Sequence, residues 1–328
     1  LKNIAVCGAG WWGKNLIRNF YELGSLGLIC DSDPLRKEYY KNLYPDIPFT
    51  NDYNSVLNNK NIKAVVIATP AETHYNLAKA ALTNDKDVFV EKPICLDTTE
   101  AEKLVEQAEC MKKILMVGHV LQYHPAITKL KELIDTNYLG KINYIYSNRL
   151  NIGKIRTSEN VTLSFAPHDI SVILMLLNDY PISIYSTGGT YLQNNIADVT
   201  MTTMKFSSNI NAHIFVSWLN PFKEQKLVVI GSERMIVFDD TIENKLISYN
   251  HEIKWENQVP IINKAKGEVI EIEKSEPLKE ECRHFIECIE NRQQPKTNSM
   301  EGLRVLNILL LCDHSLKTGC QLNDLMKI

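Results

Sequence analysis

Nowhere in this 328-residue chain is there an apolar run of the roughly 18 residues that a membrane-crossing helix needs. Its first residues also lack the charged-then-apolar pattern that directs secretion. A cytoplasmic protein with no membrane partner is expected. Charge of one sign is missing too: 36 Lys+Arg against 39 Asp+Glu leave a formal net charge of −3, with the signs mixed and no basic block or stripe. That argues against nucleic acid as a partner. The eight cysteines form no C-x-x-C pair, so neither a disulfide framework nor a zinc ribbon is expected. Cys7 and Cys30 fall within apolar strands, where reduced cysteine is a small buried hydrophobe. His284 and Cys288 stand i, i+4 on a predicted helix, but no second pair lies near them in sequence, and no metal is assigned. The sequon Asn160-Val161-Thr162, without a secretion signal, reads as chance. Glycine is scarce, 14 in all.

Three of those glycines fall between Gly8 and Gly13, in Cys7-Gly8-Ala9-Gly10-Trp11-Trp12-Gly13. The stretch joins an apolar strand, Asn3 to Cys7, to an amphipathic helix, Lys14 to Tyr21. In a G-x-G-x-x-G of this kind Gly8 permits a tight turn, Gly10 lets backbone approach a pyrophosphate, and Gly13 lets helix pack on strand. The phosphates then meet unpaired N–H groups at the positive end of the helix. A second apolar strand, Leu26 to Cys30, ends on Asp31, placed to accept from an adenosine ribose. A 2′-phosphate would meet like charge at Asp31 and Asp33, so NAD is favoured over NADP, with Arg36 a partial offset. The competing reading is a glycine turn and surface acid without a ligand.

Further along, strands and helices alternate. Helices are expected at Pro34 to Lys41, Tyr53 to Asn58, Thr73 to Leu82 and Thr98 to Cys110, the last capped by Thr98 or Thr99. Strands are expected at Ala64 to Ala68, Asp87 to Val90 and Ile114 to Val117, and Ile47 to Phe49 reads as a short strand or a loop. The alternation argues a doubly wound parallel sheet over residues 1–120. From 121 to 328 the pattern is that of an α+β domain with a large, open, mostly antiparallel sheet. It carries a helix from Ala126 to about Ile134, a strand at Ile142 to Leu150 and a helix at His168 to Leu177. Strands follow at Ile182 to Thr190, Val199 to Phe206, Ile210 to Trp218, Lys226 to Ile230, Met235 to Asp239 and Lys245 to Tyr249. Helices at Leu278 to Glu290 and Met300 to Gly319 close the chain. Wide sheets of this kind often serve as subunit interfaces, and a homodimer or homotetramer through this sheet is expected.

Ligands of doubly wound sheets lie beyond the carboxyl ends of the strands, so three sets carry the chemistry. They are Gly8 to Gly13, Thr69-Pro70-Ala71-Glu72-Thr73-His74 and Glu91-Lys92-Pro93. Lys92 reads either as a solvated loop lysine or as a group that donates to an alkoxide as it forms. In Phe165-Ala166-Pro167-His168-Asp169, opening a helix, His168 is either a cap or core partner or a proton acceptor near neutral pH. Asp169 would orient it or cap the helix. His119, Tyr123 and His124 follow the last strand of the first sheet and reach substrate or pack in a core or interface. Tyr75 to Lys79 fits Y-x-x-x-K, but too early in the chain for a short-chain dehydrogenase. No second flavin-binding segment is present.

Gly8-Ala9-Gly10-Trp11-Trp12-Gly13, Ala68-Thr69-Pro70 with His74, Glu91-Lys92-Pro93, Gly118-His119-Val120-Leu121-Gln122-Tyr123-His124-Pro125, Leu139-Gly140-Lys141-Ile142 and Pro167-His168-Asp169 together resemble the glucose–fructose oxidoreductase/inositol dehydrogenase/rhizopine catabolism (Gfo/Idh/MocA) family over nearly the whole chain. The resemblance implies a Rossmann domain, then an α+β domain, and hydride transfer between NAD(P) and a secondary alcohol of a sugar or cyclitol. It implies Lys92 and His168 as the catalytic pair and Glu91 near the nicotinamide ribose, with a Pro93 that is commonly cis. It puts Trp11, Trp12, Thr69, Pro70, His74, Pro93 and Gln122 with the glycines among the cofactor contacts. Tyr123, His124 and Asp169 join Lys92 and His168 on the substrate side. Two departures stand out: Ser164 occupies the place of an acid found in inositol dehydrogenase-like members, and Gln122-Tyr123 replaces Arg-Phe. The combination looks more like the branch acting on UDP-N-acetylglucosamine or its uronate at C3, for cell-surface polysaccharides. Arg149, Asn151, Lys154 and Arg156 then either hold a diphosphate or carboxylate or are solvated surface charge.

Overall fold

The computed structural model describes residues 2–153, 155–157 and 159–325. By Cα packing the chain forms two compact units, one of Leu1–Tyr123 with Ser275–Asn307 and one of His124–Lys274 with Ile308–Ile328.

The first unit begins with β1 (Ile4–Cys7), α1 (Gly13–Glu22), β2 (Leu26–Cys30), α2 (Arg36–Leu43), β3 (Phe49–Thr50), α3 (Tyr53–Asn58), β4 (Ala64–Ile67), α4 (His74–Thr83), β5 (Asp87–Glu91), α5 (Thr98–Cys110) and β6 (Leu115–Gly118). All six strands are parallel, in the order β3-β2-β1-β4-β5-β6. This is the order of a dinucleotide-binding Rossmann sheet, with its switch point between β1 and β4. Every residue of β1, β4, β5 and β6 is buried. Their near-continuous apolar runs reflect a sheet covered on both faces. The cap of α5 is Asp97, whose carboxylate accepts from the Glu100 amide at 3.0 Å, and not Thr98 or Thr99. Asp97 is the last residue with extended backbone, so it alone has the cap geometry.

The second unit opens with α6 (Pro125–Asp135), β7 (Ile142–Leu150) and α7 (Val161–Leu177). Then come β8 (Pro181–Gly189), β9 (Val199–Phe206), β10 (Asn211–Ser217), β11 (Glu224–Gly231), β12 (Arg234–Asp239), β13 (Leu246–Glu256), β14 (Val259–Lys264) and β15 (Glu268–Val269). The helices α8 (Pro277–Asn291) and α9 (Ser299–Thr318) and the short β16 (Leu322–Asn323) end the chain. The sheet runs β14-β13-β12-β11-β7-β10-β9-β8-β16 with β15 on β13. Its pairs are antiparallel except β7 with β10.

Helix α7 starts seven residues before the expected His168. Asn160 caps it, accepting from the Leu163 amide at 3.1 Å, and Pro167 lies inside it. His168 and Asp169 are therefore in the body of a helix, and neither is a cap. Helix α8 packs in the first unit, where buried Phe285 sets its ring edge-on to Phe20 and Phe89 at 6.4 and 5.6 Å. Among the described residues no helix is long and apolar enough to cross a membrane.

Phe285 is fully buried, so Phe285→Ala is expected to cost about 3–5 kcal/mol of stability in a urea titration of the first unit's transition. A loss under about 1 kcal/mol would mean that α8 does not help form this core.

Candidate active site

The glycine loop has the shape that a pyrophosphate cradle needs. A Cβ on Gly8, whose φ is +94°, would lie 2.6 Å from the Ala68 carbonyl oxygen, and one on Gly13 would lie 1.8 Å from the Gly8 oxygen. A Cβ on Gly10 would meet nothing within 4 Å. The outer glycines are thus required by packing, and the middle one borders open space. Asp31, at the end of β2, accepts from the amides of Ala9 at 2.6 Å and Asp33 at 2.9 Å. Arg36 Nε stands 3.6 Å from it and Arg36 Nη1 donates to the Ala9 carbonyl at 2.8 Å. A carboxylate accepts about four hydrogen bonds, so capacity for two ribose hydroxyls remains. The loop, the acid and the strand ends fit an adenine dinucleotide.

Next along the sheet are the two other loops. His74 is buried with Nδ1 facing the Pro93 carbonyl at 2.7 Å and Nε2 facing the Thr69 carbonyl at 2.9 Å, so one ring ties the loop after β4 to the loop after β5. Burial lowers its pKa, against the raising effect of those two carbonyls. Trp12 Nε1–H donates to Glu91 Oε1 at 2.5 Å and the Lys92 amide to Oε2 at 3.3 Å. Trp11, by contrast, is 79% exposed. The Lys92-Pro93 peptide is cis. Burial pushes the Glu91 carboxyl up to about 7, while the Trp12 hydrogen bond and the Lys92 charge oppose the rise. Gln122 is buried, its amide donating to Glu301 Oε1 at 2.8 Å. Tyr123 is also buried, its hydroxyl 3.1 Å from Thr297 Oγ1, which places it in the core of the first unit.

In the second unit, His168 is partly buried on α7, one helical turn after buried Ser164. Asp169 is 1% exposed and takes Arg149 Nε at 2.7 Å, Arg149 Nη2 at 3.1 Å and Ser147 Oγ at 2.6 Å. Arg149 and Asp169, both read as substrate ligands from sequence, are thus bound to each other. Asn151 and Arg156 are partly buried, with Arg156 Nε 3.2 Å from Glu159; Lys154 lies outside the described residues. His124 caps α6 by accepting from the Ala126 amide at 3.1 Å, and its Nε2 stands 3.5 Å from Asp240. Burial pushes the Asp240 carboxyl up, but hydrogen bonds from His124 and Lys245 overcome this and hold it at about 2.

Sequence reasoning missed the acids of the returning segment. Glu281 is fully buried, and among the described residues neither of its carboxyl oxygens has a hydrogen-bond partner. Its signal was an acid within the apolar stripe Leu278, Cys282, Phe285 and Cys288. Glu301 is a first-turn acid of α9, a place where an acid needs no further reason. His284 accepts from the Lys296 amide at 3.2 Å. No group of three or more metal-ligating side chains occurs among the described residues.

The fold and the cradle define a dinucleotide-binding Rossmann protein. The profile of the "Oxidoreductase family, NAD-binding Rossmann fold" matches residues 2–119, and that of the "GFO/IDH/MocA C-terminal domain" matches 127–237. The chain belongs to the Gfo/Idh/MocA family. It is 26% identical over 246 residues to UDP-N-acetylglucosamine 3-dehydrogenase of Acidithiobacillus ferrooxidans, covering 75% of this chain and 76% of that protein. A solved structure of the enzyme of that name superposes with a TM-score of 0.85 at 22% identity, covering 96% and 97% of the two chains. The chain is also 26% identical over 339 residues to scyllo-inositol 2-dehydrogenase (NAD(+)) of Bacillus subtilis, covering 96% and 94%. Levoglucosan dehydrogenase in complex with NADH has a TM-score of 0.85 at 16% identity, covering 99% of both chains, a likeness of fold.

A carboxyl whose pKa rises on folding binds its proton more tightly in the native state, so its contribution is full below the unfolded value and is lost as pH rises through the native one. The Glu91 shift, from 4.5 to about 7, predicts melting temperatures that fall across that window. In Glu91→Gln that part of the fall should vanish; identical pH profiles for parent and variant would rule out a titrating Glu91.

Proposed function

We propose that the chain is an NAD-dependent dehydrogenase that oxidises the C3 hydroxyl of a nucleotide-linked sugar, such as UDP-N-acetylglucosamine or its uronate, for cell-surface polysaccharide synthesis. The observation that carries the reading is the first unit's row of strand ends: an open Gly10, an acid at Asp31 and Lys92 on a corner fixed by Trp12 and Glu91. When bound, the dinucleotide supplies the hydride acceptor. Lys92, the residue that follows β5, donates to the substrate oxygen as it gains charge. His168 accepts the hydroxyl proton. Asp31 receives the ribose hydroxyls and disfavours a 2′-phosphate, which argues NAD over NADP. A free sugar or inositol is the second reading, favoured by the end-to-end match to scyllo-inositol 2-dehydrogenase. Ser164, a turn before His168 where inositol-type relatives carry an acid, speaks against it.

NADH and NADPH formation across UDP-sugars, free sugars and inositols tests both readings. We expect turnover with a UDP-sugar and NAD, lowered about 10²–10⁴-fold by Lys92→Met or His168→Ala with NADH binding retained. Full turnover in either variant would remove the assigned roles, and NADH binding without turnover on any substrate would mark a sensor.

Tyr144, Tyr185 and Met201 are 40–49% exposed on β7, β8 and β9, and Ile253, Trp255 and Ile262 are 57–70% exposed on the β13–β14 hairpin. Such apolar exposure suits a homodimer or homotetramer through this sheet. Light scattering should give two or four chain masses, and a monomer at micromolar concentration would refute the assembly.

A further inference from the structure

The segment returning to the first unit grips the turn that follows β6. Lys296 Nζ donates to the Gln122 carbonyl at 2.7 Å and sits 3.9 Å from the Tyr123 ring centroid. Thr297 accepts the Val117 amide at 2.8 Å through its carbonyl. Glu301 goes further. One carboxyl oxygen faces His119 Nδ1 at 2.5 Å and the other accepts from Gln122 Nε2 at 2.8 Å. Its amide is held by Asn298 Oδ1 at 2.9 Å. A first-turn acid that served only the helix dipole would point to water, whereas this side chain is turned inward and is 17% exposed.

We propose that Glu301 is a positioning residue for the Glu91-Lys92-Pro93 corner, acting through the imidazole of His119. The proposal rests on reading that corner as the catalytic end of the dinucleotide site. A carboxylate on Nδ1 keeps a proton there and fixes the plane of the ring. His119 is 1% exposed, so the ring has no room to turn toward water. The residue before it, Gly118, lies so close to Glu91 that a Cβ would stand 3.0 Å from the Glu91 carboxyl carbon. His119 thus follows directly on the residue packed against the carboxyl that receives the Trp12 indole and the Lys92 amide, and its electrostatic effect is to lower the pKa of Glu91. Among the described residues the other ionisable groups here include Lys92, Glu281, Cys282, His284, Lys296 and Tyr123. Burial drives Glu281 well above the carboxylate range and draws Lys296 down to about 8. Tyr123 is likewise pushed up by burial. Without Glu301 the imidazole loses the partner that holds it on this turn, its lowering effect on Glu91 weakens, and Glu91 then ionises at higher pH.

The test follows tryptophan emission of the full chain from about pH 5 to 9 with no ligand added, using Trp12→Phe to isolate the Trp12 signal. The expected midpoint near 7 in the parent should rise by about one pH unit in Glu301→Gln and return toward the parent in Glu301→Asp. Coincident midpoints in parent and Glu301→Gln overturn the proposal. Should Glu301→Gln fail to fold, His119→Gln serves in its place: a raised midpoint supports the proposal and an unchanged one overturns it. Because no nucleotide is present, a parent that fails the sugar panel overturns the dehydrogenase reading alone.

Discussion

The hydrogen bond from the Trp12 indole to the buried Glu91 carboxyl spans 79 residues of chain and 2.5 Å of space. It joins the loop after β1 to the loop after β5, and much of the first unit's site depends on it. A buried carboxyl without donors would stay neutral. Here the indole and the Lys92 amide favour the ionised form while burial disfavours it, which leaves Glu91 near 7. His74 makes the parallel connection between the loops after β4 and β5. Side chains thereby hold together three loops that lie beyond the sheet's ladder. Such loops retain their geometry only when packed by partners of this kind.

Most strands are legible in the sequence because apolar runs of four or five residues between polar ones have few other readings. Val199–Phe206 and Ile142–Leu150 match residue for residue, the first with burial that alternates strictly along the strand. Helix α7 is longer than its sequence suggests because a proline normally marks a helix start. Pro167 sits inside the helix at the expense of one backbone hydrogen bond, and Asn160, which reads only as part of a sequon, caps the true start. The expected strand at Lys245 to Tyr249 is the start of β13, but its continuation to Glu256 and all of β14 escape the pattern because they are mostly exposed and carry no buried face to set a period. The return of α8 to the first unit is not legible either: an amphipathic stripe records that a helix is covered, not by which sheet.

The site is legible wherever a single residue type is demanded by geometry, as at Gly8, Gly13 and Asp31. It is much less so where function depends on a partner distant in sequence. Nothing near His119 or Gln122 announces Glu301, some 180 residues later. Nor does the sequence around Arg149 reveal that Asp169 faces it; both read as substrate ligands because charged residues near a site suit a charged ligand. Pairing is a property of the fold.

That pairing bears on how a charged substrate would be held. Arg149 is committed to Asp169 by two parallel hydrogen bonds in a buried setting, and Ser147 takes a further place on the same carboxylate. Withdrawing one partner from a buried pair leaves an uncompensated charge, at about 3–5 kcal/mol. An ion pair with a diphosphate in water-exposed surroundings returns less than that. Arg149 therefore serves the helix that carries His168, anchoring it one residue from the imidazole. Arg156, partly exposed and 3.2 Å from Glu159, keeps its guanidinium available at far lower cost. On the proposed reading, recognition of an anionic sugar nucleotide by this unit would fall to Arg156 and its neighbours, and the orientation of the base to Arg149.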